Sequence, residues 1–494
     1  MSSLLVAEPR SAPPRERLTT AIGQRRSPFA RKPSAGSREL FPLPLSPFEH
    51  LFLLEDSPSY PIQFFGRLRF RGRIQQHVLN HALGIALARH PLLTAIVRPG
   101  KDGRAYWTPC LDFVPGVHCL NLEPTEEFPP ASRLDIHRRP GLQVCTVLGS
   151  ERSDLVLQFH HAACDGVGAL DFTTDLLTAY ANALGSTNRF RFKPLESGRL
   201  RSRAALPVTG WRLWRWAMQR LPDLPAFWKF YRRKPAPFIP HRPMLDDPSP
   251  PPMFPEICVH RFSRAESAAL AAFAQGSENS LNSLLARDLF MALNNWRRRN
   301  ALPSDVCLRL MLPINMRTPA DRRMPAANVV STAYMDHCPE DALDTDALLD
   351  RINRLMENIK RNHFGLAWLV ALPFLQRMTH AWGKARRSRR RCLYSALLTN
   401  LGPVLASSPL PRKDRHIVVG DAILEAVDFV PVTRPLQCLG LAVNNYAGVV
   451  SLGMRYDSRV LSPQQARDVL DEYVRVLAAS IRSSAVCGHS PNVK

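Results

Sequence analysis

The chain contains 494 residues, 45% of them hydrophobic and 22% charged, and it carries a formal net charge of +23 at pH 7. Apart from the charge these are ordinary globular values, so they exclude a disordered or fibrous chain, and the length predicts two domains or subdomains. The basic excess lies in residues 1–40, 189–234 and 377–391, and the rest of the chain is balanced. A fold that binds a polyanion along one continuous face would spread its charge more evenly, so nucleic acid is not the expected partner.

The ten cysteines fall mostly within apolar stretches and show no CxxC pair. This usage predicts reduced, buried cysteines in a cytoplasmic protein, and it argues against a disulfide framework. The short apolar stretch at residues 4–7 is too small for a signal peptide, and the longest apolar run, residues 365–375, is interrupted by Pro373. Since that run is too short to cross a bilayer, we expect no membrane-spanning helix.

The elements of the N-terminal part can be predicted in chain order. Residues 1–40 are rich in Pro, Ser and Arg without a hydrophobic period, which predicts a disordered basic tail. Apolar residues recur at helical spacing over residues 74–88, and the helix should end before Pro91. Residues 167–183 predict a second helix. Three strands are predicted in this part, at residues 92–97, 144–149 and 155–159.

Residues 189–255 differ in character, with many prolines, clustered arginines and several tryptophans, and we interpret them as a connection. Beyond this connection a strand is predicted at residues 306–314 and a hairpin around Tyr446-Ala447-Gly448. Helices are predicted there at residues 265–274, 281–298, 345–361 and 463–481. The mixture of helices and strands predicts an α/β (α+β) protein with halves at residues 41–188 and 256–494.

The stretch DLVLQFHHAACDG places His160 and His161 at the end of an apolar strand. Side chains alternate along a strand, so only one of the two imidazoles can face a given cavity. Asp165 can cap the helix that begins at Gly166, and a neutral imidazole at a strand end suits a general base. A core histidine beside a capping aspartate remains the alternative. No metal is expected, because adjacent histidines of a straight strand cannot bind one ion.

The pattern HHxxxDG, formed here by His160, His161, Asp165 and Gly166, resembles the signature of the CoA-dependent acyltransferase superfamily. This superfamily includes chloramphenicol acetyltransferase, condensation domains of nonribosomal peptide synthetases, polyketide-associated acyltransferases and alcohol acyltransferases. Other segments of the chain resemble the family's segments in the expected order. They are ALGIALARHPLLTAIV, SLNSLLARDLFMALNNW, LPINMR, AANVVS, TNLGPV and YDSRVLSPQQARDVLDEY. The resemblance runs from about residue 42 to about residue 482.

This resemblance implies two chloramphenicol acetyltransferase-like subdomains with a solvent channel between them. An acyl thioester, either acyl-CoA or an acyl-carrier protein, would enter as a co-substrate, and a hydroxyl or amine acceptor would enter from the other face. No bound cofactor is expected. His161 would be the general base, without an acyl-enzyme, and His160 its structural neighbour. Asp165 would pair with Arg317 of the LPINMR segment and organise the site.

The oxyanion of the reaction has several candidate donors. Backbone N–H groups near Gly166 are one choice, and the side chains of Thr399 and Asn400 are another. Asn400 is equally plausible as a turn residue before Leu401-Gly402. The expected activity is O- or N-acyl transfer by a free-standing enzyme. Two alternatives remain open: a stand-alone condensation-type amide synthase that uses a carrier protein, and a non-catalytic relative that binds a membrane or another partner.

The segment 211–234 combines tryptophans with arginines. On a helical projection one side is apolar, and it holds Trp211, Leu213, Trp214, Ala217, Met218 and Leu221. This pattern fits an anionic membrane surface, and it fits equally a helix that packs on the body as a lid over the channel. The same arginines could receive the phosphates of CoA. We expect a cytoplasmic monomer, and the first of these two interpretations adds a peripheral association with the membrane.

Overall fold

The computed structural model describes residues 39–185, 189–205, 210–219, 232–242, 250–251, 254–276, 280–339, 345–361 and 391–487. The predicted tail lies almost entirely outside these residues, as do residues 220–231 of the connection and nearly all of the basic segment 377–391. No helix within the described ranges is long and apolar enough to cross a membrane.

In the described residues of the first half, seven strands and three α-helices precede the connection. They are β1 (Leu43–Pro44), α1 (Pro47–Glu55), β2 (Gln63–Arg71), α2 (Gln76–Arg89), β3 (Ala95–Pro99), β4 (Ala105–Pro109), β5 (Val117–Leu120), β6 (Leu142–Leu148), β7 (Arg152–His160) and α3 (Gly166–Ala183). Both helices predicted in this half are confirmed. The strand predicted at residues 92–97 is only partly correct, because Pro91–Thr94 form a 3₁₀ turn before β3. Proline at the first position presets the φ angle for such a turn.

The connection and the second half contribute the remaining elements. The connection holds a 3₁₀ helix, Ser197–Ser202, and α4 (Gly210–Gln219). The second half holds β8 (Ile257–Arg261), α5 (Arg264–Gly276), α6 (Leu281–Arg299), β9 (Leu308–Asn315), β10 (Val330–His337), α7 (Thr345–Arg361), β11 (Ala396–Pro403), β12 (Arg412–Lys413), β13 (His416–Val419), β14 (Ala422–Val430), β15 (Leu439–Tyr446), β16 (Val449–Tyr456) and α8 (Pro463–Cys487). All four helices predicted for this half are confirmed.

Two large sheets carry these elements, one in each half. The first has seven strands in the order β12-β13-β14-β2-β7-β6-β5, and the second has six in the order β10-β9-β11-β15-β16-β8. A third, three-stranded sheet joins β1, β4 and β3. Residues 412–430 belong to the second half of the chain, yet β14 pairs antiparallel with β2 in the first sheet. The two halves are therefore tied together by a strand that crosses from one to the other.

Helices cover the sheets and bury apolar faces. In the first half Leu83 of α2, Leu157 of β7 and Phe172 of α3 belong to one core, and each is almost fully buried. In the second half Phe290 of α6 and Leu470 of α8 lie in a separate core. Burial of apolar area of this kind is the main favourable term in folding. The first core also takes in Met311, Leu397 and Tyr446 of the second half, so it joins the two halves, whereas the second core lies within the connection and the second half.

The predicted hairpin of β15 and β16 is confirmed. The two strands pair antiparallel from Leu439 opposite Tyr456 to Tyr446 opposite Val449. Ala447 and Gly448 connect them with φ angles of 53° and 81°. Two consecutive residues with positive φ give a tight hairpin turn whose twist matches the strands.

The cysteines depart from the prediction at one place. Cys307 and Cys338 form a disulfide, with their Cα atoms 4.0 Å apart, whereas all ten cysteines were predicted to be reduced. The antiparallel register of β9 and β10 pairs Leu308 with His337, so the residues just beyond these positions face each other. The two cysteines are 31 positions apart in the chain, and no local sequence pattern predicts that they lie next to each other in the fold. Seven other cysteines in the described ranges are free.

Candidate active site

The adjacent histidines at the end of β7 have different surroundings. His160 is fully buried, its Nδ1 accepts the N–H of Ala162 at 3.2 Å, and its Nε2 lies 3.7 Å from a carboxylate oxygen of Asp56. His161 contacts aromatic rings and remains partly exposed. Successive side chains of a strand point to opposite faces, which explains why one imidazole is buried in the interior while the other stays accessible.

The main chain of His161 is held from both halves of the molecule. Its N–H donates to the carbonyl oxygen of Ile62 at 2.9 Å, just before β2. Its carbonyl oxygen accepts the side-chain N–H of Asn328 at 2.5 Å, from the loop before β10. Two hydrogen bonds on opposite sides of one residue leave the strand end little freedom to move. The imidazole is therefore presented in a fixed position.

Two phenylalanines surround the ring of His161. Phe52 of α1 stacks on it with centroids 4.3 Å apart, and Phe64 of β2 meets it edge-on at 5.1 Å. Burial among these groups lowers the pKa of His161 to about 4, although the charge of Asp165 acts in the opposite direction. Its Nδ1 is buried, so the Nε2 edge faces the remaining accessible surface. At neutral pH the ring is an uncharged proton acceptor.

Replacing Phe52 with alanine is expected to raise the pKa of His161 from about 4 toward the ordinary value of about 6.5. Water would then reach the face of the imidazole that Phe52 covers, and the charged form would be better solvated. Nuclear magnetic resonance titration with isotope-labelled histidine measures this pKa, and His161→Gln identifies the resonance. Phe113→Ala, which removes an exposed ring elsewhere, should leave the titration unchanged. An unaltered pKa in Phe52→Ala would contradict the shielding role.

Asp165 is buried and its carboxylate is fully engaged. Oδ1 accepts the N–H of Gly168 at 2.8 Å, which caps α3, and Oδ2 accepts the N–H of Val329 at 2.8 Å. Arg317 donates to both oxygens, at 2.7 and 3.0 Å. Burial would raise the pKa of Asp165, but Arg317 and the two amides outweigh it and hold the pKa below its ordinary value. The ion pair that the resemblance implied is thus present in the structure.

The pair of Asp165 and Arg317 fastens a loop of the second half to the start of α3. Arg317 also donates to the carbonyl oxygen of Ala327 at 2.9 Å, and the N–H of Asp165 donates to the same oxygen at 3.2 Å. The next residue of this loop is Asn328, which binds the carbonyl of His161. The carboxylate therefore acts on His161 through the loop, and its oxygens are occupied by groups other than the imidazole.

His90 supports the same loop from the other side. Its Nδ1 accepts the N–H of Ala326 at 2.8 Å, so a neutral ring carries its proton on Nε2, which lies 3.1 Å from Asp175 of α3. Sequence analysis gave neither His90 nor Asn328 a role. The only signal was that both stand inside segments that resemble the family, RHP and AANVVS. The structure shows that these segments meet.

Close packing at this junction leaves little room for a side chain at Gly168, in the first turn of α3. A Cβ atom on Gly168 would lie 3.0 Å from both the nitrogen and the oxygen of Ala327. In contrast, a Cβ on Gly84 of α2 would meet no atom within 4 Å. The two glycines are both helical, so they form a matched pair for testing the approach of the loop.

We expect Gly168→Ala to lower the free energy of unfolding by about 1–2 kcal/mol, because the added methyl overpacks against the backbone of Ala327. Gly84→Ala should raise it by about 0.5–1 kcal/mol, since alanine is the better helix former and the site is open. Urea-induced unfolding of both variants measures the difference. Equal stabilisation in the two variants would show that α3 and the loop do not touch.

Gly166 and Asn400 lie on the two sides of the same junction. A Cβ on Gly166 would lie 2.8 Å from the side chain of Leu401, so the start of α3 approaches β11. Asn400 accepts the N–H of Gly402 at 2.9 Å and donates to the side chain of Asn282 at 2.7 Å. These bonds fit the turn role that the sequence left as one of two alternatives for Asn400. Its partner Asn282, at the start of α6, was not predicted.

No group of three or more His, Cys, Asp or Glu side chains able to hold a metal ion occurs in the part of the chain that the structure describes. The site at His161 is defined by the groups described above. It consists of one accessible neutral imidazole, fixed through its main chain, beside the N-terminus of α3. Such a group can accept a proton from a hydroxyl or an amine.

Comparison with known proteins adds two kinds of finding. No protein-family model matches the chain. Two uncharacterised proteins of Mycobacterium tuberculosis, from strains CDC 1551 and H37Rv, are each 29% identical over 167 residues. The match covers 32% of this chain and 37% of each relative, so it spans little more than a third of their length.

Solved structures resemble the whole fold. The first condensation domain of the calcium-dependent antibiotic synthetase, in complex with a substrate analogue, superposes with a TM-score of 0.65 at 14% identity and covers 88% of this chain and 95% of its own. Trichothecene 15-O-acetyltransferase from Fusarium sporotrichioides gives 0.62 at 13% identity, with 88% and 94% covered. Polyketide synthase associated protein 5 from Mycobacterium tuberculosis gives 0.55 at 16% identity, with 90% and 98% covered.

These likenesses settle the fold. The chain has the α/β fold of the condensation domain, the acetyltransferase and the polyketide synthase associated protein, so the fold that the resemblance implied is confirmed. The layout of two subdomains fits as well, since the neighbours cover about nine-tenths of the chain. At this level of identity the comparison carries the fold alone. The chemistry must be argued from the site.

Proposed function

We propose that this protein is an acyltransferase that moves an acyl group from a thioester to a hydroxyl or amine acceptor, with His161 as the general base. The observation that carries the proposal is the state of His161. Its imidazole is neutral, accessible on its Nε2 edge and fixed through hydrogen bonds from both halves. Its place in a fold shared with acyl-transferring proteins supports the same chemistry.

In this reaction the acceptor O–H or N–H gives its proton to Nε2 of His161 as its oxygen or nitrogen attacks the thioester carbonyl carbon. The carbonyl electrons move to oxygen and form a tetrahedral oxyanion. When the carbonyl reforms, the C–S bond breaks and the thiolate takes the proton from the imidazolium. The products are an ester or amide and a free thiol. Because both substrates react directly, proximity supplies much of the rate and no covalent enzyme intermediate is needed.

The oxyanion needs donors that are free at the start of the reaction. The first N–H groups of any helix lack acceptors within the helix, and those of α3 begin at Gly166 beside His161. We assign the oxyanion to this helix start. The side chain of Asn400 is engaged at both ends, with Gly402 and Asn282, so it serves the turn of β11 in this proposal.

Thiol release from a panel of thioesters tests the proposal. Acyl-CoAs of several chain lengths and acyl-carrier-protein thioesters are each incubated with and without alcohols and amines, and the products are identified by mass spectrometry. We expect release that depends on the acceptor, with an ester or amide as the product. Preference for the carrier thioester would identify the condensation-type alternative, which the likeness to a condensation domain favours. No acceptor-dependent release from any thioester would overturn the assignment of an enzyme.

A further inference from the structure

Helix α4 of the connection presents apolar side chains to solvent. Trp211, Trp214 and Met218 are 67%, 52% and 45% exposed. Their spacing of three and four residues places them on one side of the helix. The two indoles stack on each other with centroids 4.5 Å apart, and Arg215 is exposed beside them. The function proposed above makes no use of this surface, which we call the tryptophan face.

An exposed apolar side chain is common on a soluble protein, but two tryptophans and a methionine grouped on one helix are not. Two interpretations of this segment were left open by the sequence, a helix that packs on the body and a helix that meets a membrane. The exposure of all three side chains opposes the first, since a helix packed through its apolar side would bury them. Among the residues that the structure describes, none covers the tryptophan face, which leaves it available to a partner.

We propose that the tryptophan face docks the protein on the surface of an anionic lipid bilayer. Tryptophan is suited to the boundary between headgroups and acyl chains, because its large ring is apolar and its N–H is polar. Arginine beside it can pair with lipid phosphates. The connection has the charge such a surface needs: residues 189–234 are strongly basic, and Arg232 and Lys234 are exposed beyond α4.

The geometry favours a bilayer over the other anionic partners. Single-stranded nucleic acid is bound by aromatic rings whose faces are free to stack on bases. In α4 each indole already covers one face of the other. A folded protein partner would need a preformed shape to fit, whereas a fluid interface adapts to an amphipathic helix that lies in its plane. The proposal concerns where the protein resides, and it stands independently of acyl transfer.

Co-sedimentation with vesicles tests the proposal on the full chain. The probes are vesicles of phosphatidylcholine alone and vesicles that also contain phosphatidylglycerol. We expect the wild type to bind the anionic vesicles and the double variant Trp211→Ser/Trp214→Ser to lose at least about tenfold in affinity, because the buried aromatic area is removed. The matched control is Leu111→Ser/Leu122→Ser, which removes two leucines that are 78% and 54% exposed elsewhere. This control should bind as the wild type does.

A variant with altered charge distinguishes the electrostatic contribution to vesicle binding from the apolar contribution. Arg215→Glu should weaken binding to anionic vesicles about 30-fold, since each basic residue near such a surface contributes about 1 kcal/mol and the substitution changes the charge by two. Arg138→Glu, at a highly exposed site in the first half, should have no such effect. Melting temperatures close to that of the wild type show that the variants are folded.

Three results would overturn the proposal. The wild type could fail to bind anionic vesicles, the tryptophan variant could bind them as well as the wild type does, or the leucine control could lose as much affinity. Binding of a fluorescently labelled single-stranded oligonucleotide is measured as well, to test nucleic acid as the alternative partner. If it binds more tightly than the vesicles, and the tryptophan variant loses that binding, the surface is for nucleic acid and the lipid assignment is wrong.

Discussion

Replacing His161 with alanine is expected to lower acceptor-dependent thiol release about 10²- to 10⁴-fold, the usual contribution of a general base. The acceptor would still bind next to the thioester, but its proton would have no acceptor in the transition state. Because the ring of His161 lies against Phe52 and Phe64 and makes few polar contacts, its loss should lower kcat far more than it raises KM. Steady-state kinetics at a saturating acceptor concentration measures the effects on kcat and on KM separately.

Two further variants distinguish chemistry from structure. His77→Ala removes an exposed histidine of α2 and should leave the rate unchanged. His160→Ala should lower the melting temperature, since His160 is fully buried next to Asp56. If the enzyme without the His161 imidazole turned over like the wild type, the assignment of the base would be wrong, whereas the fold and the lipid-binding proposal would be untouched.

The low pKa of His161 determines how kcat/KM of this reaction declines at low pH. With a pKa of about 4 in the folded protein, the base remains unprotonated well below the ordinary pKa of about 6.5. We therefore expect kcat/KM to hold its value as the pH falls to about 5 and to decline only below it. In Phe52→Ala this decline should move to higher pH together with the pKa of the ring.

Arg317→Ala is expected to lower the free energy of unfolding by about 3–5 kcal/mol, the largest stability effect among the substitutions considered. The side chains of Arg317 and Asp165 are 12% and 6% exposed, so removing the guanidinium leaves a buried carboxylate with two amide donors and no counter-charge. Arg317→Lys should cost less, because it keeps the charge and loses the paired geometry. Urea-induced unfolding of both variants measures the difference.

A matched ion pair serves as the control. Arg323, which follows in the same segment, bonds to Glu196 at 2.8 Å, but the two side chains are 58% and 43% exposed. Exposed pairs of this kind contribute about 0–1 kcal/mol, so Arg323→Ala should be nearly neutral. A loss in Arg317→Ala as small as that in Arg323→Ala would show that the junction at Asp165 does not hold the two halves together.

The pH dependence of stability gives the same interaction a second test. The pKa of Asp165 is lower in the folded protein than its ordinary value of about 3.9, so the unfolded chain binds this proton more readily. The contribution of Asp165 is therefore complete above about pH 4 and is lost as the pH falls further. In Arg317→Ala the pKa rises, and the stability should begin to fall at a higher pH than in the wild type.

Local patterns in the sequence were enough to predict much of this protein. The helical period over residues 74–88 and the turn at Ala447-Gly448 are set by neighbours in the chain, and both elements formed as predicted. The alternation of a strand separated His160 from His161 for the same reason. The pairing of Asp165 with Arg317 came from the resemblance to a family, since these two residues are 152 positions apart in the chain.

Tertiary structure decided the contacts that join distant segments. Asn328 binds the carbonyl of His161 across 167 residues, and the N–H of Ala326 reaches His90 across 236. No period in the sequence records such pairs, because they depend on how the sheets and loops pack against each other. The stacking of Phe52 on His161 is a contact of this kind, and it is part of the burial that lowers the pKa of the proposed base.

The same distinction applies to surfaces. The sequence determined that residues 211–218 form an amphipathic helix with tryptophan and arginine, since amphipathicity is a property of spacing. It left open whether the apolar side of that helix is covered by the body. Only the packed structure decided that Trp211 and Trp214 face solvent, because burial depends on what the rest of the chain places against them.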